Sequence, residues 1–178
     1  MKRIIALLLS VVLALSLVAC GDNASSNQGN SDSSADTIRI GVMNCFTGGM
    51  AAYGEHEMRG IELAHKQFPE VNGHPIELVQ ADNKSDAVES ANAAQRLIEK
   101  EKCSIILGSY GSAMCMAAGE SVMNGQVPTI TGGATNANIT KGNPYYYRAC
   151  FLDNLQTPIC AQYCYKDQGY KTAGMIYE

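Results

Sequence analysis

Beyond residue 36 the chain alternates short apolar runs with longer segments whose apolar residues recur every three or four positions. Residues 37–43 predict a first strand, and residues 55–68 a helix with Met58, Ile61, Ala64 and Phe68 on one side. Asn72-Gly73-His74-Pro75 is turn chemistry, followed by a second strand over 76–80. Asp86 with Glu89 three residues on reads as a capping-box start to a helix reaching about Lys100, with a thin, alanine-rich apolar stripe. A third strand (104–107), a third helix (112–124) and a fourth strand (127–131) follow. Such alternation predicts an α/β fold built on a largely parallel sheet. After Asn136 the rhythm changes to a turn at 141–144, an extended piece at 145–149 and a polar break at 151–154. A helix over 156–165 and a last strand are expected next, so 150–154 reads as a crossing into a second lobe. The final apolar run, 172–178, looks like a buried strand with nothing after it, as in a truncated chain.

Two of the predicted strands end alike. Ile105 to Ser112 reads IILGSYGS, and Val127 to Asn136 reads VPTITGGATN. If the two strands are adjacent and parallel, their ends place backbone N–H groups, Ser112 and Thr135 along one rim of the sheet, where open α/β sheets bind small ligands. A helix N-terminus at that rim favours an anion. The first rim lacks the Lys-Ser/Thr of a P-loop, and it matches neither G-x-G-x-x-G nor the G-x-S-x-G of a nucleophile elbow. Ser112 therefore reads as a helix-capping serine beside exposed amides, suited to a carboxylate. The paired glycines Gly132 and Gly133 let backbone approach a ligand closely, and Thr135 adds a hydroxyl that can donate and accept. Capture of a small zwitterion or carboxylate is the expectation.

The remaining features narrow the setting. Lys2 and Arg3 precede an apolar core over 4–18, too short and too soon followed by polar residues to span a bilayer, so residues 1–20 read as an export signal. Its end, Leu17-Val18-Ala19-Cys20, resembles the bacterial lipobox, which would make Cys20 the lipidated first residue of the mature protein. Residues 21–36 are polar and small, a flexible tether. Cleavage before Cys20 removes Lys2 and Arg3 and no acid, leaving 11 basic against 17 acidic residues and a net charge of −6. With no basic block and no Trp, nucleic acid is not an expected partner. His56 and His65 lie on opposite sides of one predicted helix and His74 in a turn, so no metal site or cofactor is expected. Cys160 and Cys164, one helical turn apart, read as small apolar helix residues in preference to a bridge or metal pair.

An ordered set of motifs carries a family resemblance. Ile38-Arg39-Ile40-Gly41-Val42, Thr47-Gly48-Gly49 and Ala52-Tyr53-Gly54, then Gly133-Ala134-Thr135-Asn136, then Tyr147-Arg148 with Leu152-Asp153, resemble the branched-chain amino-acid-binding proteins. These are the type I periplasmic solute-binding proteins of ABC importers. The resemblance implies a parallel-sheet lobe of a Venus-flytrap fold over 37–150 and the start of a second lobe, truncated, over 151–178. It implies that Ser112 and the backbone at Thr135 hold the ligand carboxylate, while the Gly133 carbonyl and Thr135 hydroxyl hold its ammonium. Ala134 belongs to the same rim. Tyr53 would wall the ligand side chain, Tyr110 and Gly111 would flank the pocket, and Asp153 would lie near the hinge. The implied partners are a small amino acid, branched-chain or otherwise hydrophobic, the permease subunits of an ABC transporter, and the membrane through a lipid anchor, on the extracytoplasmic side.

Two departures and two rivals accompany it. Some family members have a disulfide joining the loop after the second strand to the first rim; here Asn83 and Gly111 occupy that region. Ala113 and Met114 replace a more hydroxyl-rich rim, which bears on side-chain preference. The nearest rival is the same fold serving as receptor or sensor for an amide, urea or aromatic acid. An exported hydrolase with Ser112 as nucleophile is the rival from another class, and it would need a histidine partner.

Overall fold

The computed structural model describes residues 36–176; the leader, Cys20 and most of the tether lie outside the described residues, as do Tyr177 and Glu178. Six strands form one sheet: β1 (Ile38–Asn44), β2 (Glu70–Val71), β3 (His74–Asp82), β4 (Ile105–Leu107), β5 (Thr129–Thr131) and β6 (Tyr146–Arg148). Their spatial order is β2-β3-β1-β4-β5-β6, parallel throughout except for the β2–β3 pair. Helices α1 (Ala51–Gln67), α2 (Ala87–Gln95) and α3 (Ser112–Gly125) connect them, and α4 (Asp153–Gln162) follows β6. The parallel α/β architecture and the four predicted strands are present.

Side chains alternate along the strands and divide the sheet into two faces. On one face Met43 and Ala81 meet Ala93, Ala94 and Leu97 of the α2 segment, with Ile106 and Ala118 completing the cluster. Leu97 is fully buried, which stabilises the fold by about 1.5–3 kcal/mol. A second cluster joins Cys115 and Val122 of α3 to Ala134, Ile139 and Tyr146. On the opposite face, Ile40, Ile76, Leu78, Leu107 and Ile130 line a groove of about 430 Å3 beside Ile61, Ala64 and Phe68 of α1. Gly54 lets α1 approach the end of β1: a Cβ there would lie 2.0 Å from the Cys45 carbonyl oxygen.

Several local readings are corrected. The turn at Asn72-Gly73 closes a two-residue hairpin, with both residues at positive φ (53° and 81°) and Glu70 paired to Pro75. Strand β2 is too short for a periodicity signal. Asp86 caps α2 by accepting from the Val88 and Glu89 N–H groups, but Glu89 pairs with Lys84, so the reciprocal arm of the capping box is not made. The helix ends in a wide turn, with Glu101 N–H donating to the Arg96 carbonyl. Helix α4 begins at Asp153, three residues earlier than the pattern predicts, with an acid in its first turn that complements the helix dipole. Its residues are exposed, and Leu155, Ile159 and Tyr163 form an uncovered stripe down one side. Cys160 on α4 and Cys164 in the helical turn that continues it are exposed free thiols. Among the described residues the last predicted strand is not formed: residues 169–176 are irregular and exposed, with no strand paired to them.

Candidate functional site

Strand β1 lies between β3 and β4, so the chain winds to one side of β1 and then to the other. The reversal opens a crevice at the carboxyl ends of β1 and β4, where ligands of open α/β sheets sit. Asn44 closes β1 at this point and is fully buried. Its Oδ1 accepts from Cys45 N–H (2.9 Å) and Tyr110 N–H (3.2 Å), and its Nδ2 donates to Glu57 Oε2 (2.7 Å).

The first rim, Gly108 to Ser112, is anchored from below. Ser109 is fully buried; its Oγ accepts from Asn83 Nδ2 at 2.7 Å and donates to the Tyr110 carbonyl at 2.9 Å. Its carbonyl accepts from Thr131 Oγ1 (2.8 Å) and Cys115 Sγ (3.1 Å). Asn83 thus ties the loop after β3 to this rim by a hydrogen bond, in the region where some family members place a disulfide. Gly108 is obligatory: φ is +124°, and a Cβ would lie 1.8 Å from the Met43 carbonyl oxygen. Ser112 is the first residue of α3, the N-cap is Gly111, and the helix has no side-chain cap. The expected capping role is therefore corrected. The Ser112 hydroxyl oxygen accepts instead from Asn136 N–H of the second rim, at 3.3 Å.

The second rim, Gly132 to Asn136, follows β5. Thr131 Oγ1 accepts from Ala134 N–H (3.1 Å) while donating to Ser109, so one buried hydroxyl links the two rims. Ala134 is fully buried, and its carbonyl accepts from Cys150 Sγ at 3.5 Å. Thr135 is partly exposed, and its carbonyl accepts from Arg148 Nη1 (3.0 Å) and Asp153 N–H (3.2 Å). Gly133 faces the aromatic wall: a Cβ there would meet Tyr110 Cδ2 at 2.5 Å and Glu57 Oε1 at 2.8 Å.

Tyr53, half exposed on α1, stacks on Tyr110 with ring centroids 4.3 Å apart and planes 2° from parallel. Both rings therefore lie beside the second rim. Burial pushes the Glu57 carboxyl above its ordinary range, opposed by the bond from Asn44. Burial also raises the Tyr110 phenol, with Tyr53 and Glu57 adding to the shift. The loop carrying α1 is held by Asp82, whose carboxylate accepts from Phe46, Thr47 and Lys84 N–H groups and from Thr47 Oγ1. Burial raises that carboxyl, but the four bonds outweigh it and leave it below the ordinary value. Elsewhere His65 bonds the Ile76 carbonyl and His74 the Asp36 carbonyl. Among the described residues no group of three His, Cys, Asp or Glu side chains could hold a metal ion.

The structure thus brings together Tyr53, Tyr110, Gly111, Ser112, Gly133, Ala134 and Thr135, with Asp153 joined to the second rim through its backbone. None of these residues lines the apolar groove beneath α1. Sequence reasoning missed Asn44 and Glu57, and quoted Arg148 in a motif without giving it a role; the three lie behind the rims. Their one local signal is a polar or charged residue where a strand or helix face should be apolar.

The model of the family described as "Periplasmic binding protein" matches residues 37–178. An amino acid binding protein of Pseudomonas aeruginosa is 28% identical over 99% of this chain and 44% of its own length. A leucine-binding protein structure from Thermotoga maritima superposes with a TM-score of 0.72 at 38% identity, over 75% of this chain and 38% of that one. A solute-binding protein of an ABC transporter from Rhodopseudomonas palustris, in complex with 4-hydroxybenzoate, gives 0.70 at 32% identity, over 76% and 37%. The chain spans less than half the length of the curated relatives it matches. The chain belongs to the type I periplasmic binding proteins of the branched-chain amino-acid family.

Proposed function

We propose that this chain carries the ligand-gripping first lobe, residues 37–150, of an extracytoplasmic solute-binding lipoprotein that delivers a small amino acid to an ABC importer. Residues 151–178 open a second lobe, and the exposed apolar stripe of α4 supports that reading. Residues 1–20 are the export signal, Cys20 the lipidated residue, and 21–36 the tether that holds the domain near the membrane and its permease partner. The ligand head group sits between the rims. Ser112 Oγ and Thr135 N–H take the carboxylate, the Gly133 carbonyl and Thr135 hydroxyl take the ammonium, and Tyr53 with Tyr110 forms the side-chain wall.

One observation carries this reading. Ser112 Oγ accepts from Asn136 N–H, so its own proton is free to be donated to an acceptor at the rim. In this reading the Ser112 hydroxyl serves as a donor to the ligand, and the site binds and releases it.

A second reading has its own support. The parallel Tyr53–Tyr110 pair is a flat aromatic surface suited to a planar ligand, and a relative of comparable similarity was solved with 4-hydroxybenzoate. Titration calorimetry of the complete protein against leucine, isoleucine, valine, 4-hydroxybenzoate and urea separates the two. Binding of the aliphatic amino acids at least tenfold tighter than 4-hydroxybenzoate is the expected result, worth about 1.4 kcal/mol. The reverse order would replace the amino acid by an aromatic acid.

A further inference from the structure

The peptide unit between Thr135 and Asn136 is held from both sides. Its carbonyl accepts from Arg148 Nη1 at 3.0 Å and from Asp153 N–H at 3.2 Å. Its N–H donates to Ser112 Oγ at 3.3 Å. Arg148 Nη2 is buried and finds no hydrogen-bond partner among the described residues. Among the described residues, no carboxylate lies within salt-bridge distance of the guanidinium. An uncompensated cation is therefore wired to Ser112 through a single peptide. A carbonyl that accepts from a cation polarises its peptide, so the N–H on the far side donates more strongly. The hydroxyl that accepts from this N–H is held with its own proton directed elsewhere and becomes the better donor.

We infer that Arg148 is a positioning residue for an anionic ligand group: through the Thr135–Asn136 peptide it orients and polarises Ser112, and it sets positive charge behind the rim. This rests on Ser112 binding a carboxylate, as proposed above. A bond that merely pinned β6 to the second rim would treat a carboxylic acid and its amide alike. Charge relayed to Ser112 distinguishes them.

The test compares affinities of the complete protein for leucine and leucinamide, and for 4-hydroxybenzoate and 4-hydroxybenzamide, using whichever acid binds more tightly. Arg148→Gln keeps an N–H donor for the Thr135 carbonyl but removes the charge. It should weaken the acid about tenfold and the amide less than about twofold, in keeping with a charge-assisted bond. Arg148→Lys should recover most of the acid's affinity. In a Ser112→Ala background the Arg148→Gln effect on the acid should shrink to about twofold or less, because the two residues act as one unit. Equal losses for acid and amide, or an undiminished effect without Ser112, would overturn the inference while leaving the proposed function standing. If Arg148→Gln does not fold, Arg148→Lys decides alone: it should keep the acid-over-amide preference, and equal loss of both overturns the relay. If neither acid binds the wild-type protein, the proposed function falls and the relay with it.

Discussion

At the end of β4, Ser109 is enclosed and its hydroxyl and carbonyl bond to Asn83, Tyr110, Thr131 and Cys115. At the end of β5, Gly132 is exposed, Gly133 and Thr135 are half-buried, and the outer end of the rim is held by Ser112, Arg148 and the backbone of Asp153. Both ends are built from glycine and hydroxyl residues, yet the first is a platform set into the core and the second a ledge tied to β6 and the start of α4. The contrast assigns different work to them. In the proposed function the first rim would fix geometry before a ligand arrives, and the second would couple the ligand to β6 and α4.

Substitutions should separate these roles. The largest effect is expected at Gly108, where alanine combines a positive φ with a backbone overlap against Met43. Gly108→Ala should cost about 3 kcal/mol or more, or abolish folding, read by urea denaturation. Next comes Asn44→Ala, which leaves the Cys45 and Tyr110 N–H groups without their acceptor and Glu57 without its donor. A loss of about 2–4 kcal/mol is expected in the same assay.

On the second rim the balance should shift from folding to binding. In Gly133→Ala the added methyl meets side chains rather than backbone, the edge of the partly buried Tyr110 ring and the Glu57 carboxyl. Stability should fall by about 1 kcal/mol or less, while ligand affinity drops by about tenfold as Tyr110 is displaced. A folding loss at Gly133 as large as that at Gly108 would erase the distinction between platform and ledge.

The smallest effect concerns pH. The folded chain holds the Glu57 proton more tightly than the unfolded chain does, because burial raises that carboxyl. The stability this contributes is fully present below the unfolded value of about 4.3 and is lost as pH rises through the raised folded value. Glu57→Gln keeps an acceptor for Asn44 and should flatten stability across that interval. An unchanged pH profile would mean that the carboxyl is solvated.

Much of this was legible in the chain because strand and helix periods leave a mark on apolar spacing. Ile40 and Met43, or Met58 and Ile61, declare their faces by position alone. Ser112 and Thr135 stood out as hydroxyl residues clustered with glycines at two strand ends, whereas Tyr53 on α1 came only from the family resemblance. The hairpin at Asn72-Gly73 was half legible: the turn residues are plain, but two strand residues carry no period. Arg148 was visible as part of a motif, but Asn44, Glu57 and Arg148 were not legible as a group. Glu57 and Arg148 lie 13 and 104 positions from Asn44 along the chain; the fold sets Glu57 against Asn44 and Gly133, and Arg148 against the Thr135 carbonyl. The misplaced cap at Ser112 has a similar cause, since its real partner, Asn136, is 24 residues away. Among the described residues the expected last strand has no neighbour to pair with, and a strand is a property of a pair.

The joint grip of the two rims on a ligand head group is tested most directly by calorimetric titration of the complete protein with its preferred amino acid, alongside Ser112→Ala and Thr135→Ala. Each substitution should weaken binding by about 1–3 kcal/mol, the cost of leaving a charged group one hydrogen bond short, with the thermal midpoint little changed. Unchanged affinity in both variants would contradict the assignment of the site.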